Sequence, residues 1–288
     1  MDFRTDLALE RCEILDKKDT DGIEIEAFEA KKARVSRISV TNKNGEKAVG
    51  KPMGEYVTVE VAPFAGQAQF IDDSLDALVA EIRRFLPEEG SVLVAGLGNM
   101  KITPDALGPR CASMIFSTRH ITGEIRKATG LEGLRCVSSV STGVTGDTGI
   151  ETGELLRGIV DGVKPDTVIT VDALAARSVQ RLGNTVQMCS TGIVPGSGVG
   201  NARQEISEKT LGVPVVAIGV PTVVDAATLV TDYSRDSAVL ANGEAENMMV
   251  TPREVDLMIE RAAKLTALAI NCALQPDISP EDMLILTS

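Results

Sequence analysis

The chain has 288 residues and a formal net charge of −12, which excludes the class of proteins that bind nucleic acid directly through clustered Lys and Arg. It opens without a signal peptide and has no apolar run long enough to span a bilayer, so we expect a cytoplasmic protein without a membrane partner. Hydrophobic residues make up 43% and aromatic residues only 3%, a composition typical of parallel sheets flanked by helices.

The cysteines and histidines narrow the chemistry further. The five cysteines are odd in number and lack Cys-x-x-Cys spacing, so they indicate neither a disulfide framework nor a zinc site, and buried reduced thiols are expected. His120 is the single histidine, which excludes a histidine-rich metal centre. A Ser-His-Asp or Cys-His enzyme would have to use His120 as its catalytic histidine. We expect a chemistry without a metal and without an organic cofactor.

The first part of the chain predicts a small β structure behind a charged arm. Residues 1–32 are highly charged and weakly periodic, which indicates a surface helix or a mobile arm. Residues 34–61 have the alternation of strands, and Asn-Lys-Asn-Gly at 42–45 predicts a hairpin turn. This segment is expected to form a small antiparallel lobe or an edge extension of a larger sheet.

From residue 72 onward, strand patterns alternate with helix patterns. Residues 75–85 have apolar side chains at helical spacing, with N-caps offered at 72–74 and a stop at Pro87. Strands are predicted at 92–95, 134–140, 167–174 and 213–220, and helices at 109–120, at 151–163 and from 255 to 274, the last one behind a capping box at 251–254. Glycine-rich loops are predicted at 141–149 and 191–203, and a loop or short irregular helix at 233–247. A short tail is predicted after Pro276.

Two aspartates follow buried strands of this pattern. Asp105 lies in the polar loop after the strand at 92–95, and Asp172 ends the strand at 167–174. Because the carboxyl ends of parallel strands meet at one edge of a sheet, the two carboxyl groups are expected to be neighbours. Close carboxyl groups share a proton, so that one can protonate a leaving amine while the other takes a proton from water. The pair predicts amide hydrolysis, whereas either aspartate alone would be read as a turn or cap residue.

The glycine-rich loops leave a different function open. Gly96-Leu97-Gly98 after a strand resembles the start of a dinucleotide-binding motif, but Lys101 stands where the third glycine belongs. The glycines at 196–200 do not form a phosphate-binding P-loop, since no Gly-Lys-Ser/Thr follows. The alternative is a nucleotide- or phosphate-binding small-molecule transferase of α/β fold that uses the same sheet edge.

Six motifs follow one another along nearly the whole chain, at 96–109, 148–152, 171–177, 195–201, 219–225 and 249–256. Together they resemble the germination protease family of spore-forming bacteria. The resemblance implies an atypical aspartic endopeptidase that initiates degradation of small acid-soluble spore proteins during germination. It also implies a homotetramer in the forespore or spore core. The implied fold is a mostly parallel sheet between helix layers, similar to the hydrogenase maturation endopeptidases.

The resemblance also assigns residues and boundaries. It implies Asp105 and Asp172 as the catalytic pair and autocleavage of a zymogen between Asp6 and Leu7. Residues 1–6 would be the propeptide, and 7–288 a single peptidase domain with a small β extension at about 34–62. The acid-apolar-Ala-x-acid pattern at 6–10 resembles the cleavage sites of the spore proteins.

Some features depart from the family pattern. A six-residue propeptide is short, and Ser190 stands where the family carries an acid. The span at 224–250 is also abbreviated. A metal-assisted protease remains a second hypothesis, because the hydrogenase maturation endopeptidases use acids to hold metal.

Overall fold

A computed structural model describes residues 5–15, 20–66, 70–121, 123–129, 133–233 and 248–287. Within these residues one sheet contains every strand. The strands are β1 Ile23–Ala30, β2 Ala33–Val40, β3 Gly54–Glu60, β4 Val92–Leu97, β5 Val137–Gly143, β6 Thr167–Ala176, β7 Thr185–Cys189, β8 Val215–Asp225 and β9 Met249–Val250. Their order is β1-β2-β3-β7-β8-β6-β4-β5, and β9 pairs with β8.

The helices cover both faces of this sheet. On one face, α3, α4 and α10 pack in the main hydrophobic core, and on the other face α7 packs in a second core with β4 and β6. This sheet between helix layers confirms the predicted α/β class. The helices are α1 Ala8–Ile14, α2 Lys43–Val49, α3 Asp73–Phe85, α4 Leu107–Ser113, α5 Gly123–Thr129, α6 Thr145–Thr148, α7 Thr152–Val163, α8 Glu208–Leu211, α9 Ala226–Tyr233, α10 Val255–Leu274 and α11 Pro280–Leu286. Among the described helices, none has the length and apolarity that a bilayer crossing would need.

The parallel half of the sheet consists of β5, β4, β6 and β8. Every residue of β4 is buried, and β6 is buried at all positions except Ala173. The near-continuous apolar runs of the sequence therefore form strands that are covered on both faces. The prediction of a parallel sheet is confirmed for this half.

The antiparallel half consists of β1, β2, β3 and β7, and β7 joins it to β8. It is thus an edge extension of the same sheet. The hairpin turn predicted at 42–45 is wrong, because these residues begin helix α2. The Asn42 side chain caps this helix by accepting hydrogen bonds of 2.9 Å from the backbone N–H of Asn44 and of Gly45. A segment rich in Asn and Gly can form a turn or begin a helix, and here the Asn42 cap stabilises the start of a helix.

The prediction for residues 1–32 is also partly wrong. Its helix is present as α1, but Leu7 and Ala8 are fully buried, so residues 5–10, the first described ones, are not a surface arm. The same stretch contains β1, an edge strand that turns into β2 through Lys31 at a φ of 57°. Its three glutamates, Glu24, Glu26 and Glu29, are exposed, and this acidic composition gave no strand signal in the sequence.

Other boundaries shift. The helix predicted to reach His120 ends at Ser113, and the capping box at 251–254 does not form, because the Thr251 hydroxyl donates to the carbonyl of Thr222 instead. Helix α11 replaces the predicted short tail, and β7 was not predicted. Helix α9 includes Tyr233, and the loop predicted at 234–247 lies outside the described residues. The helices α3 and α7 are confirmed to within one or two residues of their predicted bounds.

Candidate active site

Asp105 is held by a tight turn after β4. A 3₁₀ turn, Thr103–Asp105, precedes α4, and the backbone N–H of Asn99 donates to Asp105 Oδ2 at 2.7 Å. Gly98 has a φ of +110°, and a Cβ at this position would lie 2.1 Å from the backbone oxygen of Asp105. Only glycine lets the loop fold back so closely. The carboxyl group is therefore fixed just beyond the end of β4.

Gly108 in α4 brings this turn against β6. A Cβ at Gly108 would lie 2.2 Å from the carbonyl oxygen of Leu97 in β4 and 2.3 Å from that of Val171 in β6. The start of α4 thus touches the backbone of both strands. Asp172 directly follows Val171, so the same contact that seats the helix places Asp105 near Asp172.

Asp172 is almost fully buried in β6, with 5% of its surface exposed. Its Oδ1 accepts a hydrogen bond of 2.9 Å from the backbone N–H of Ala173. Burial, followed by the charge of Asp105 and more weakly that of Asp6, raises the pKa of Asp172 well above its ordinary value, against that hydrogen bond. Burial also raises the pKa of Asp105, and the N–H of Asn99 opposes this shift. The two acids are electrostatically coupled, so the pair is suited to hold one proton.

Both acids line a cleft of about 580 Å³ at the carboxyl ends of the parallel strands. The loops after β4 and β5 and the last residues of β6 form its walls, together with residues 193–203. The exposed Lys101 side chain bridges two of these loops through a 2.7 Å contact with Asp147 Oδ1. The structure therefore brings Asp105 and Asp172 to one cleft, as the strand pattern predicts.

Asp6 lies in the same cleft and binds beside β6 like a residue of an added strand. Its backbone N–H donates to the carbonyl of Ala175 at 2.9 Å. Its side chain accepts from the Ala175 N–H at 2.9 Å and from the Ser197 hydroxyl at 2.8 Å. A Cβ at Gly198 would lie 2.1 Å from Asp6 Oδ2, so this glycine leaves the space that the carboxylate fills.

The residues after Asp6 are also held individually. Leu7 is buried against Leu174 and Ala176, and Ala8 is buried at the start of α1. Glu10 accepts hydrogen bonds from the backbone N–H groups of Arg177 at 2.6 Å and Ser178 at 2.9 Å, and it pairs with Arg181 at 3.6 Å. The acid, the apolar residue, the alanine and the second acid of the segment at 6–10 thus each occupy a defined position.

Gln187 is a site residue that the sequence reasoning missed. It lies on β7, and its side chain hydrogen-bonds to the backbone of the N-terminal segment on both sides of the Asp6–Leu7 bond. Thr185 and Val186 are strand formers after the turn at Gly183 and Asn184, and this weak pattern is the signal that could have revealed the strand. Nothing in the sequence indicated the role of its glutamine.

Other candidate groups lie away from the cleft. The Ser190 hydroxyl accepts from the backbone N–H of Glu55 at 3.1 Å, a contact between β3 and the end of β7. The five cysteines are free, three of them buried and two half-buried. Over the described ranges of the chain, no three His, Cys, Asp or Glu side chains are grouped so that they could hold a metal ion.

The sequence comparisons with known proteins agree on one family. The sequence profile of the germination protease family matches residues 5–236. The germination protease of Caldanaerobacter subterraneus subsp. tengcongensis is 41% identical over 98% of this chain and 97% of its own length. That of Priestia megaterium is 33% identical over 97% of this chain and 95% of its own length. Among solved structures, the NiFe hydrogenase maturation protease HycI of Thermococcus kodakarensis has a TM-score of 0.38 and 16% identity, covering 66% of this chain and 98% of that one.

Proposed function

The chain belongs to the germination protease family and is therefore a peptidase, and we propose that it is an aspartic-type enzyme made as a zymogen that cleaves its own Asp6–Leu7 bond. One observation carries the proposal: Asp6 lies in the same cleft as the coupled pair Asp105 and Asp172. Family membership favours this function over the nucleotide- or phosphate-binding transferase that the glycine loops left open.

The surroundings of the two acids suggest how they divide the work. Asp172 is the more deeply buried and has the more strongly raised pKa, so it is the one that keeps the proton when the pair holds one. Asp105 accepts the N–H of Asn99, which favours its ionised form. We therefore assign Asp172 as the general acid and Asp105 as the general base.

The proposed hydrolysis of the Asp6–Leu7 bond has two steps. Asp105 takes one proton from a water molecule while the water oxygen bonds to the carbonyl carbon of Asp6, and the carbonyl π pair moves onto its oxygen. The resulting intermediate collapses, the bond from carbon to the Leu7 nitrogen breaks, and Asp172 gives its proton to that nitrogen. The products are a carboxyl group on Asp6 and an amine on Leu7, and proton exchange with solvent resets the pair.

The same contacts suggest how a zymogen with a six-residue propeptide stays silent. Asp6 lines the cleft, and Leu7, Ala8 and Glu10 are bound next to it, so residues on both sides of the bond hold the segment in place. A peptide in trans would have to displace a segment that is tethered to the enzyme and therefore present at a high effective concentration.

The docked segment also supports a substrate class. We propose that the enzyme acts on small acid-soluble spore proteins at sites with the pattern acid-apolar-Ala-x-acid, within the forespore or spore core and as a homotetramer. Each specified position of that pattern has a matching contact in the segment at 6–10.

Autocleavage of the full chain tests the proposal. Mass spectrometry of purified protein should show loss of residues 1–6 over time. Asp105→Asn and Asp172→Asn should each slow this reaction by about 10²–10⁴-fold, because an amide of the same shape cannot exchange the proton. Asp161→Asn, an exposed position on α7, is the matched control and should cleave at the wild-type rate.

Three outcomes would contradict the proposal. These are the absence of any cut at Asp6–Leu7 in the wild-type chain, normal cleavage by either cleft variant, or loss of cleavage with a chelator, which would favour the metal-assisted alternative. Cleavage in trans of a peptide that contains Glu-Ile-Ala-Ser-Glu, added after autocleavage is complete, tests the substrate class separately.

A further inference from the structure

Gln187 touches the carbonyl group whose carbon the proposed reaction attacks. Its Nε2 donates to the carbonyl oxygen of Asp6 at 3.0 Å, and its Oε1 accepts the backbone N–H of Ala8 at 2.7 Å. We propose that Gln187 is a third catalytic residue, which polarises the carbonyl of the Asp6–Leu7 bond and stabilises the negative charge that develops on its oxygen. This inference rests on the proposed function.

The two contacts fix the orientation of the side-chain amide. The N–H of Ala8 can only donate, so the atom of Gln187 facing it is the oxygen, and the NH₂ group then faces the carbonyl of Asp6. A flipped amide would place a donor against a donor and an acceptor against an acceptor. The N–H of Ala8 therefore fixes the orientation of the amide group that donates to the carbonyl of Asp6.

The sheet places Gln187 and Asp172 in one row. Asp172 in β6 pairs with Gly219 in β8, and Gly219 pairs with Gln187 in β7, so the three residues lie side by side across three strands. Neighbouring strands are about 4.8 Å apart, which separates the Cα atoms of Asp172 and Gln187 by roughly 10 Å. Asp6 is near both residues: its carbonyl accepts from Gln187, and its charge contributes to the raised pKa of Asp172.

Gly219, which lies between Asp172 and Gln187 in this row, leaves space for the side chain of Leu174. A Cβ at Gly219 would lie 2.5 Å from Leu174 Cγ, so the leucine side chain leans over the glycine. Leu174 in turn packs against Leu7, the residue after the bond. The glycine, the leucine and the glutamine thus act together to support the Asp6–Leu7 peptide.

The location gives the hydrogen bond catalytic value. Gln187 is buried, with 7% of its surface exposed. A buried donor that is already fixed in place stabilises a developing oxyanion more than water does, because it needs no reorientation during the reaction. As the carbonyl oxygen gains charge in the attack step, its bond to Nε2 becomes charge-assisted and stronger.

Gln187→Glu isolates the donor. The carboxylate keeps an oxygen for the N–H of Ala8 but offers no N–H to the carbonyl of Asp6. We expect the first-order rate constant of autocleavage to fall by about 10²–10³-fold, the range found when one oxyanion donor is removed. Gln180→Glu makes the same chemical change at an exposed position after β6 and should leave the rate unchanged.

A second measurement separates catalysis from docking. Hydrogen exchange of the peptides covering Asp6 and Ala175 reports whether the segment stays bound beside β6, because the backbone N–H of each residue donates to the other, that of Asp6 to the Ala175 carbonyl and that of Ala175 to the Asp6 carboxylate. We expect Gln187→Glu to retain this protection while cleavage slows. Should the glutamate variant fail to fold, Gln187→Met, which is of similar size and neutral, replaces it in both measurements, with a comparable loss of rate expected.

The outcomes are distinct. Wild-type rates in either folded variant would overturn the assignment of Gln187, and so would a slow rate that the loss of protection explains in full. Failure of both variants to fold while the control stays folded would also overturn it, by showing a structural role for the side chain. None of these results bears on Asp105 and Asp172, whereas an uncut wild-type chain would instead defeat the proposed function itself.

Discussion

The parallel and antiparallel halves of the sheet contribute to the cleft in different ways. The parallel half contributes from its strand ends, where the turn after β4 and the last residues of β6 place Asp105 and Asp172. The antiparallel half contributes indirectly: Gln187, in the middle of β7, lines a neighbouring cavity and hydrogen-bonds to the backbone of the N-terminal segment, whose Asp6 lines the cleft. The proposed pair of acids thus comes from the parallel half, whereas both halves bind the N-terminal segment, β6 through Ala175 and β7 through Gln187.

The two halves also differ in what holds the N-terminal segment. Leu7 packs on the parallel strand β6, whereas the start of α1 packs on the antiparallel strands through a core that includes Ala8, Ile38 and Tyr56. The Asp6–Leu7 bond therefore lies where the halves meet. The position of the bond therefore depends on the junction of the two halves at β6, β8 and β7. Substitutions near this junction should affect autocleavage and stability to different degrees.

Gly108→Ala should have the largest effect, because it breaks the parallel half at the contact that brings the two acids together. The added methyl group would lie within 2.3 Å of two backbone oxygens, which are much less free to move than a side chain. We expect a loss of about 1–3 kcal/mol in the free energy of unfolding by urea, and autocleavage that is barely detectable. Gly162→Ala on α7 is the control, since no atom lies within 4 Å of its Cβ position. Unchanged stability in Gly108→Ala would show that α4 can move away from the strands without cost.

Gly198→Ala should have an intermediate effect, confined to the N-terminal segment. The methyl group would take the place of Asp6 Oδ2, so the segment would shift relative to the acids while the sheet stays intact. A displacement of about 1 Å is enough to slow a positioned reaction by about 10²-fold. Mass spectrometry of autocleavage measures the rate, and thermal unfolding checks that the fold is retained. A wild-type rate would mean that the Asp6 carboxylate is not needed to position the bond.

The smallest expected effect is a pH dependence of stability that belongs to Asp172. Its pKa in the folded protein lies above the ordinary value of 3.8, because of burial and the neighbouring charges of Asp105 and Asp6. The folded state therefore holds a proton that the unfolded state releases, and this contribution to stability is lost as the pH rises from about 4 toward the folded-state pKa.

We expect the free energy of unfolding of the wild type to fall relative to Asp172→Asn over that range, by at most about 1.4 kcal/mol per pH unit. Urea unfolding at a series of pH values measures the difference. Asp161→Asn should show no such trend. A difference that stays constant from pH 4 to pH 8 would mean that Asp172 is ionised in the folded protein and cannot be the general acid.

The sequence by itself determined the α/β class, the parallel strands, the helices α3 and α7, and the two aspartates at the strand ends. It could do so because buried parallel strands need long apolar runs, and because the direction of the chain fixes which end of each strand reaches the functional edge. The polar edge strand β1 and the short strand β7 were not predicted, since an exposed or short strand has too few apolar residues to show a pattern in the sequence.

Only the tertiary structure decided the rest of the cleft. The N-terminal segment looked like a surface arm, yet Asp6 and Glu10 are bound by backbone groups of β6 and the turn after it, contacts that span more than 160 positions of the chain. Gln187 reads as an ordinary strand residue until β8 places it across from Asp172. Hydrogen bonds between distant backbones depend on strand order and register, and these are set by packing of the whole sheet rather than by any local run of residues.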